Sequence, residues 1–328
     1  MSTYGIPTEY HGTDRNAANP DGQYDFECLV IGAGPAGLTA AIYLSRFHRR
    51  VLVADGGHSR ASMIPRSHNY PGFPPGISGE ELLARLAEQA TQYGTLIEAG
   101  CVEELAHAGP GFIATLNGRA VTARTVIMAT GIRDVLPPVE AVYDAVAQAR
   151  IRLCAICDGY EVNGDNVAVY GEAECAIRHA LFLRNFTDRL TVLVKASAAE
   201  CPGITGEALQ AGIRFVEDAA VDVIRLAGDQ VEVQTLKGGS FHFDIVYPCL
   251  GSDSCSGLAS ALGAEVDEQG ALVVDPQQCT TVKGLYAVGD VVGSLKQISV
   301  ATGQAAICAT AVHGQLDRRL WEPSDWFG

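Results

Sequence analysis

A glycine-punctuated turn between an apolar run and a helical pattern constrains this chain more than any other feature. Phe26-Glu27-Cys28-Leu29-Val30-Ile31 is a short apolar run ending in Gly32, which predicts a buried parallel strand. Gly32-Ala33-Gly34-Pro35-Ala36-Gly37 completes a GxGxxG, and a helical pattern runs from Pro35 to about Phe47. In such a turn Gly32 permits the sharp bend, Gly34 lets a pyrophosphate reach the backbone, and Gly37 lets helix and strand pack closely. The helix N-terminus attracts the phosphates. A second strand, Val51 to Ala54, leads to Asp55, where an acid holds a ribose hydroxyl. Strand, helix and acid together predict a dinucleotide site.

The rest of the chain continues in the same manner. Ser78-Gly79-Glu80-Glu81 reads as a capping box opening a helix with Leu82, Leu83, Leu86 and Tyr93 on its apolar side. Val121 to Met128 predicts a strand ending at Ala129-Thr130-Gly131. A second β-α-β pattern has strand Val167–Tyr170, helix Ala173–Asn185 and strand Leu190–Val194. Near Val246 to Leu250 the pattern changes again, a late strand is expected at Leu285–Val288, and a small-residue helix at Ser299–His313. With 328 residues the chain is long enough for two domains.

A net charge of −15 argues against nucleic acid or an anionic membrane as partner. No apolar run reaches the roughly 18 residues of a membrane span. Met1 to Gln23 is polar and lacks the apolar stretch of a signal peptide. Ten cysteines without such a signal point to a reducing compartment, hence to the cytoplasm, with mostly buried free thiols.

Between the two dinucleotide patterns stands Cys154-Ala155-Ile156-Cys157-Asp158-Gly159. Two cysteines so spaced close a disulfide ring or present one low-pKa thiolate, and an adjacent acid moves a proton. Zinc is the main alternative, but it normally needs a second ligand pair. No other Cys-x-x-Cys or His-x3–5-His exists here, and the Cys249 to Cys255 spacing does not resemble a knuckle, so no metal site is expected. Cys28, Cys101, Cys175, Cys201, Cys279 and Cys308 mostly fall in apolar patterns and read as core. His68 and His179 read as satisfied structural histidines.

The motifs together resemble the thioredoxin reductase family, of the low-molecular-weight type. Ser67-His68-Asn69-Tyr70-Pro71-Gly72-Phe73 is similar to its Asn-x-Pro-Gly segment beside the flavin, and Ala129-Thr130-Gly131 to its strand-end turn. Val288-Gly289-Asp290-Val291 is similar to the second FAD fingerprint, and Lys296-Gln297-Ile298 to its Arg-Gln-Ala. The resemblance spans about Phe26 to Leu316 and implies an α/β fold of two Rossmann-like, three-layer dinucleotide-binding domains. It implies FAD held by Gly32, Gly34, Pro35, Ala36, Gly37, Asp55, Gly56, Asn69, Ala129, Thr130, Gly131, Gly289, Asp290, Lys296, Gln297 and Ile298. Cys157 would be the sulfur next to the flavin, Cys154 the one exchanging with a partner, and Asp158 the proton carrier.

The implied FAD domain is discontinuous, at 25–135 and 249–317, with a central domain at 136–248 carrying the cysteine pair. A polar extension, 1–24, precedes it and an aromatic tail, 318–328, follows. Hinges are expected near Arg133–Pro138 and Pro248–Ser252, and the family implies a homodimer.

The second dinucleotide site departs from the family's pattern. Where a Gly-Gly-Gly-x-Ser-Ala is expected, the chain has Gly171-Glu172-Ala173-Glu174-Cys175-Ala176. Ala173 adds a methyl group, and two carboxylates would face a pyrophosphate. Lys195-Ala196-Ser197-Ala198-Ala199-Glu200 replaces the cation cluster that reads the 2′-phosphate of NADPH. NADH needs no cation there, yet the acids oppose it too, so NAD(P)H is disfavoured. The expected activity is therefore an FAD-dependent thiol–disulfide oxidoreductase without NADPH as its direct donor. Its partner is a thioredoxin-like protein or a small dithiol or disulfide, with ferredoxin or oxygen as electron partner. An NAD(P)H-dependent reductase with unconventional contacts, or a non-catalytic flavin redox sensor, are the alternatives. In the tail, Trp326 or Phe327 either stacks over the flavin face that a nicotinamide would occupy or packs on the surface or at a subunit interface.

Overall fold

The computed structural model describes residues 24–137, 142–195, 197–217, 219 and 221–318. The N-terminal extension up to Gln23 and the tail with Trp326 and Phe327 lie outside the described residues. The chain divides into two compact units, one of Met1–Ser59, Glu81–Ile132 and Ser254–Gly328, the other of Arg60–Glu80 and Arg133–Asp253. The segment Arg60–Glu80, carrying Asn69, thus groups with the second unit rather than with the glycine-rich turn.

In the first unit β1 (Phe26–Ile31) leads through the glycine turn into α1 (Pro35–Arg46) and β2 (Val51–Asp55). Helix α2 (Gly79–Gln92) precedes β3 (Leu96–Ala99), β4 (Val102–Ala108), β5 (Gly111–Leu116) and β6 (Arg119–Met128). The sheet order is β3-β2-β1-β6-β5-β4. Strands β1, β2 and β3 run parallel, and β6 lies parallel to β1, with Ile31 opposite both Ala54 and Met128. Alternation along β1 and β2 sends Leu29, Ile31, Leu52 and Ala54 to one face and Cys28, Val30, Val51 and Val53 to the other. Both faces are buried, as continuous apolar strands require. Tyr93, expected on the apolar side of α2, is instead 37% exposed, with the Arg46 guanidinium 4.8 Å above its ring. Its phenol edge makes partial exposure cheap, and the cation covers its face.

The chain leaves through β7 (Ile132–Asp134). The second unit holds α3 (Val142–Ala147), the single turn α4 (Ala155–Asp158), β8 (Val167–Gly171), α5 (Ala173–Leu183) and β9 (Leu190–Val194). Then come α6 (Pro202–Gln210), β10 (Arg214–Val216), β11 (Val221–Ala227), β12 (Gln230–Thr235), β13 (Ser240–Phe243) and β14 (Ile245–Cys249). Four parallel strands order as β10-β9-β8-β14, and β11-β12-β13 form a separate antiparallel sheet. That sheet has no counterpart in the sequence expectation, because its short, half-polar strands are defined by their pairing with one another.

The chain returns through β15 (Ser252–Ser254), which pairs with β7, so the two crossings between units run side by side. Helix α7 (Gly257–Ala261), β16 (Leu285–Ala287) and α8 (Ile298–Gln315) complete the first unit. Strand β16 pairs with Val126–Met128 of β6, beyond the stretch of β6 that β5 occupies. Small residues of α8, Ala301, Ala305, Cys308 and Ala309, pack with Ala36, Ala40 and Ala41 of α1 on one face of the sheet. No described helix is long and apolar enough to cross a membrane.

Candidate active site

The carboxyl ends of β1, β2, β6 and β16 align at one edge of the first unit, where open α/β sheets bind their ligands. Gly32 adopts φ +111°, and a Cβ there would stand 2.3 Å from the Ala129 carbonyl oxygen. A Cβ on Gly37 would stand 1.9 Å from the Gly32 oxygen, so helix and turn meet backbone to backbone. Around Gly34 the nearest atom to an added Cβ is the Ser59 hydroxyl at 3.4 Å, leaving approach to the backbone open. Helix α1 starts with Pro35, and no side chain caps its free amides. The residues fit a dinucleotide pyrophosphate.

Of the other positions implied for FAD in this unit, Ala129 and Gly289 meet the same turn. Asp55 accepts the Gly57 N–H through Oδ1 at 2.9 Å, which orients the carboxylate at the strand end. Gly56 follows it, close to Cys101. Thr130 donates its hydroxyl to the Cys255 carbonyl at 2.7 Å, and Gly131, at φ +65°, accepts the Cys255 N–H at 3.0 Å. Gly289 has φ +79°, and a Cβ there would lie 2.9 Å from that of Ala36, which brings the second fingerprint against the start of α1. Asp290 sits in the 3-10 turn that follows β16. Lys296 is exposed, while Gln297 and Ile298 are half-buried at the uncapped start of α8. Sequence reasoning passes over Gln304, whose Oε1 accepts the Gly289 N–H at 2.8 Å and whose amide donates to the Ser294 hydroxyl at 3.0 Å. It ties the Gly289 turn to the body of α8.

The second unit carries the cysteine pair. Cys154 and Cys157 form a disulfide, and both are half-buried. Cys154 precedes α4, and its sulfur accepts the Cys157 N–H at 3.2 Å. Such an amide stabilises negative charge on that sulfur when the bond is reduced. Asp158 accepts the Tyr247 hydroxyl at 2.7 Å and faces the Arg152 guanidinium at 3.4 Å. Burial nevertheless holds its carboxyl above the usual carboxylate range, against the opposing pull of Tyr247 and Arg152. The same burial, with the Asp158 charge, pushes the Tyr247 phenol far up, so it stays a donor. Asn69 lies in this unit, in a loop closed by the Ser67–Ile77 bridge, and its Oδ1 accepts the Ser67 hydroxyl at 3.2 Å.

The turn Gly171–Ala176, where the sequence departs from the expected glycine pattern, lies at the end of β8. Ala173 is 5% exposed and packs into the core, so its methyl does not project from the turn. The two acids do project, and each holds a cation: Glu172 with Lys195 at 2.8 Å and Glu174 with Arg178 at 2.7 Å. Cys175, read from sequence as core, is exposed beside His179 and Cys249. The Cys249 thiol and His179 hold the Cys175 thiol well below its usual range, and contact with Cys175 raises the other two groups.

Residues 26–305 match the pyridine nucleotide-disulphide oxidoreductase family. The chain is 28% identical over 305 residues to the thioredoxin reductase of Treponema pallidum, covering 89% of this chain and 98% of that one. It is 29% identical over 313 residues to the thioredoxin reductase of Aquifex aeolicus, covering 89% and 93%. Among solved structures, the thioredoxin reductase of Streptococcus pyogenes matches with a TM-score of 0.82 at 26% identity, over 88% of this chain and 97% of that one.

Proposed function

The chain belongs to the pyridine nucleotide-disulphide oxidoreductase family, among the low-molecular-weight thioredoxin reductases, and on that premise we propose that it exchanges disulfides without NADPH as direct donor. It is an FAD-dependent disulfide oxidoreductase. FAD, when bound, supplies the two-electron carrier. The partner is a thioredoxin-like disulfide or a small dithiol, in the cytoplasm. The observation that carries the exchange reading is the Cys154–Cys157 disulfide followed by a half-buried, hydrogen-bonded acid.

In the reducing direction the Cys154 thiolate attacks a partner sulfur, forming a mixed disulfide and expelling one partner thiolate. Cys157 then attacks the Cys154 sulfur, which restores the intramolecular bond and releases the second partner thiol. Two electrons pass from the cysteine pair to the partner. Asp158, held by Tyr247 and Arg152, supplies and recovers the proton at the departing sulfur. The paired crossings β7 and β15 serve as hinge for the second unit.

The reading against NADPH rests on the turn after β8. Lys195 is already paired with Glu172 and Arg178 with Glu174, so neither cation is free to meet a 2′-phosphate without baring an acid. The test is anaerobic stopped-flow mixing with NADPH, NADH, reduced ferredoxin and a small dithiol, followed at the flavin absorption. Fast bleaching by the dithiol or ferredoxin and slow bleaching by both nucleotides is expected. Rapid bleaching by micromolar NADPH would establish the conventional donor instead.

A further inference from the structure

The turn that departs from a nucleotide fingerprint brings together three soft ligands that are far apart in the chain. Cys175 and His179 stand four residues apart on α5, hence on one face of that helix. Cys249 ends β14, and its register opposite Gly171 on β8 places it at the entry to α5. That register is tight, because a Cβ on Gly171 would lie 2.2 Å from the Cys249 carbonyl oxygen. One ligand atom from each of Cys175, His179 and Cys249 lies within 4.8 Å of the others, the one such cluster among the described residues. The Cys175 sulfur and His179 Nδ1 are 3.8 Å apart. Tetrahedral zinc with ordinary bond lengths sets sulfur and nitrogen about 3.6 Å apart and two sulfurs about 3.8 Å apart. Side-chain rotations that move the ligand atoms by about an ångström, and that release His179 Nδ1 from the Cys175 carbonyl oxygen 2.9 Å away, close the set.

We propose that Cys175, His179 and Cys249 bind a zinc-class divalent cation, with a fourth position open to solvent. Two sulfurs and one imidazole select a borderline-soft ion over magnesium or calcium, whose sites are built of oxygen. Cys175 is exposed and Cys249 buried, so the ion enters from the solvent side and leaves that side for water or an added ligand. The neighbouring acids do not complete the shell, since Glu172 and Glu174 are paired with Lys195 and Arg178. Bound there, the ion ties the end of β14 to the first turn of α5, where a nucleotide pyrophosphate would otherwise lie. This site is independent of the disulfide exchange assigned to Cys154 and Cys157.

The test uses the full-length, FAD-containing protein with Cys154→Ser and Cys157→Ser, so that no other cysteine pair competes. Anaerobic titration with Co²⁺ should show one ion per chain, thiolate-to-cobalt charge transfer, and intense tetrahedral bands beyond the flavin absorption. Stoichiometric Zn²⁺ should abolish those bands. Adding Cys175→Ser or His179→Gln, both away from the core, should weaken binding by at least about 100-fold. A weak octahedral spectrum, or a tetrahedral one indifferent to both substitutions, overturns the proposal. Wild-type protein with the Cys154–Cys157 disulfide kept closed gives the same readout should the double variant not fold.

Discussion

Replacing Tyr247 with Phe removes one hydroxyl from the Asp158 carboxylate and leaves the surrounding packing intact, because the ring is 1% exposed and keeps its volume. The hydroxyl donates at 2.7 Å to Oδ1. A hydrogen bond to a charged group contributes about 1.5–3 kcal/mol. The lower end applies here, since the Asp158 side chain is 25% exposed and retains Arg152 at 3.4 Å. About 1.4 kcal/mol corresponds to one pH unit. Tyr247 stabilises the ionised form, so its loss should raise the Asp158 pKa by about one unit above an already raised value. The assay is reduction of Cys154–Cys157 by excess dithiothreitol across pH, quenched by alkylation, with newly modified Cys154 and Cys157 counted by mass. Each rate is divided by the thiolate fraction of the reductant. If Asp158 protonates the departing sulfur, this normalised rate falls as pH rises through its pKa. The falling limb should move up by about one pH unit in Tyr247→Phe. It should vanish in Asp158→Asn, with a plateau about 100-fold lower. A limb that stays put in Tyr247→Phe, or persists in Asp158→Asn, removes Asp158 from proton transfer.

Asp158 also makes a stability prediction. Its folded pKa is raised, so the folded state binds more protons above the usual carboxylate range, and its contribution to stability is lost as pH rises through the raised value. The difference in urea midpoint between wild type and Asp158→Asn should therefore shrink or reverse from about pH 4 upward, and a difference that grows with pH would contradict the burial argument. Gly37→Ala forces a methyl to within 1.9 Å of the Gly32 oxygen, so about 3 kcal/mol of stability and most bound FAD should be lost. Full retention of FAD on gel filtration would show that the turn relaxes. Arg49 is 3% exposed and donates to Glu27 at 2.7 Å, to His313 at 3.1 Å and to the Asp317 carbonyl at 3.0 Å. Arg49→Ala should cost about 3 kcal/mol in chemical unfolding, and Glu27→Gln in the same chain should recover part of it. A single-variant loss below about 1 kcal/mol would mean that solvent already screens the pair.

Much of the framework is legible in the order of the residues. The apolar run at Phe26–Ile31, the strand at Leu190–Val194 and the helix from Pro35 lie where their local patterns put them. These are elements whose signal is carried by consecutive residues. Elements with alternating, half-polar patterns, β4, β5 and β11 to β13, escape the same reading, because their identity depends on pairing with a neighbouring strand. Position in the motif alone sets the methyl of Ala173 against nucleotide binding, whereas the helix turns that methyl into the core.

Local sequence dictates the chemistry that travels within a few residues: a phosphate-binding turn needing Gly32 and Gly37, and a cysteine pair with an acid beside it. Backbone sterics and ring closure act over such short spans, so spacing suffices to read them. Which distant groups tune that chemistry is settled by the folded chain. Tyr247 meets Asp158 across 89 residues, and Gln304 meets Gly289 across a helix start. Cys249 comes to Cys175 only because β14 runs in register beside β8. Hydrogen bonds and metal ligation depend on distance in space, and for these residues strand pairing, not chain spacing, sets that distance.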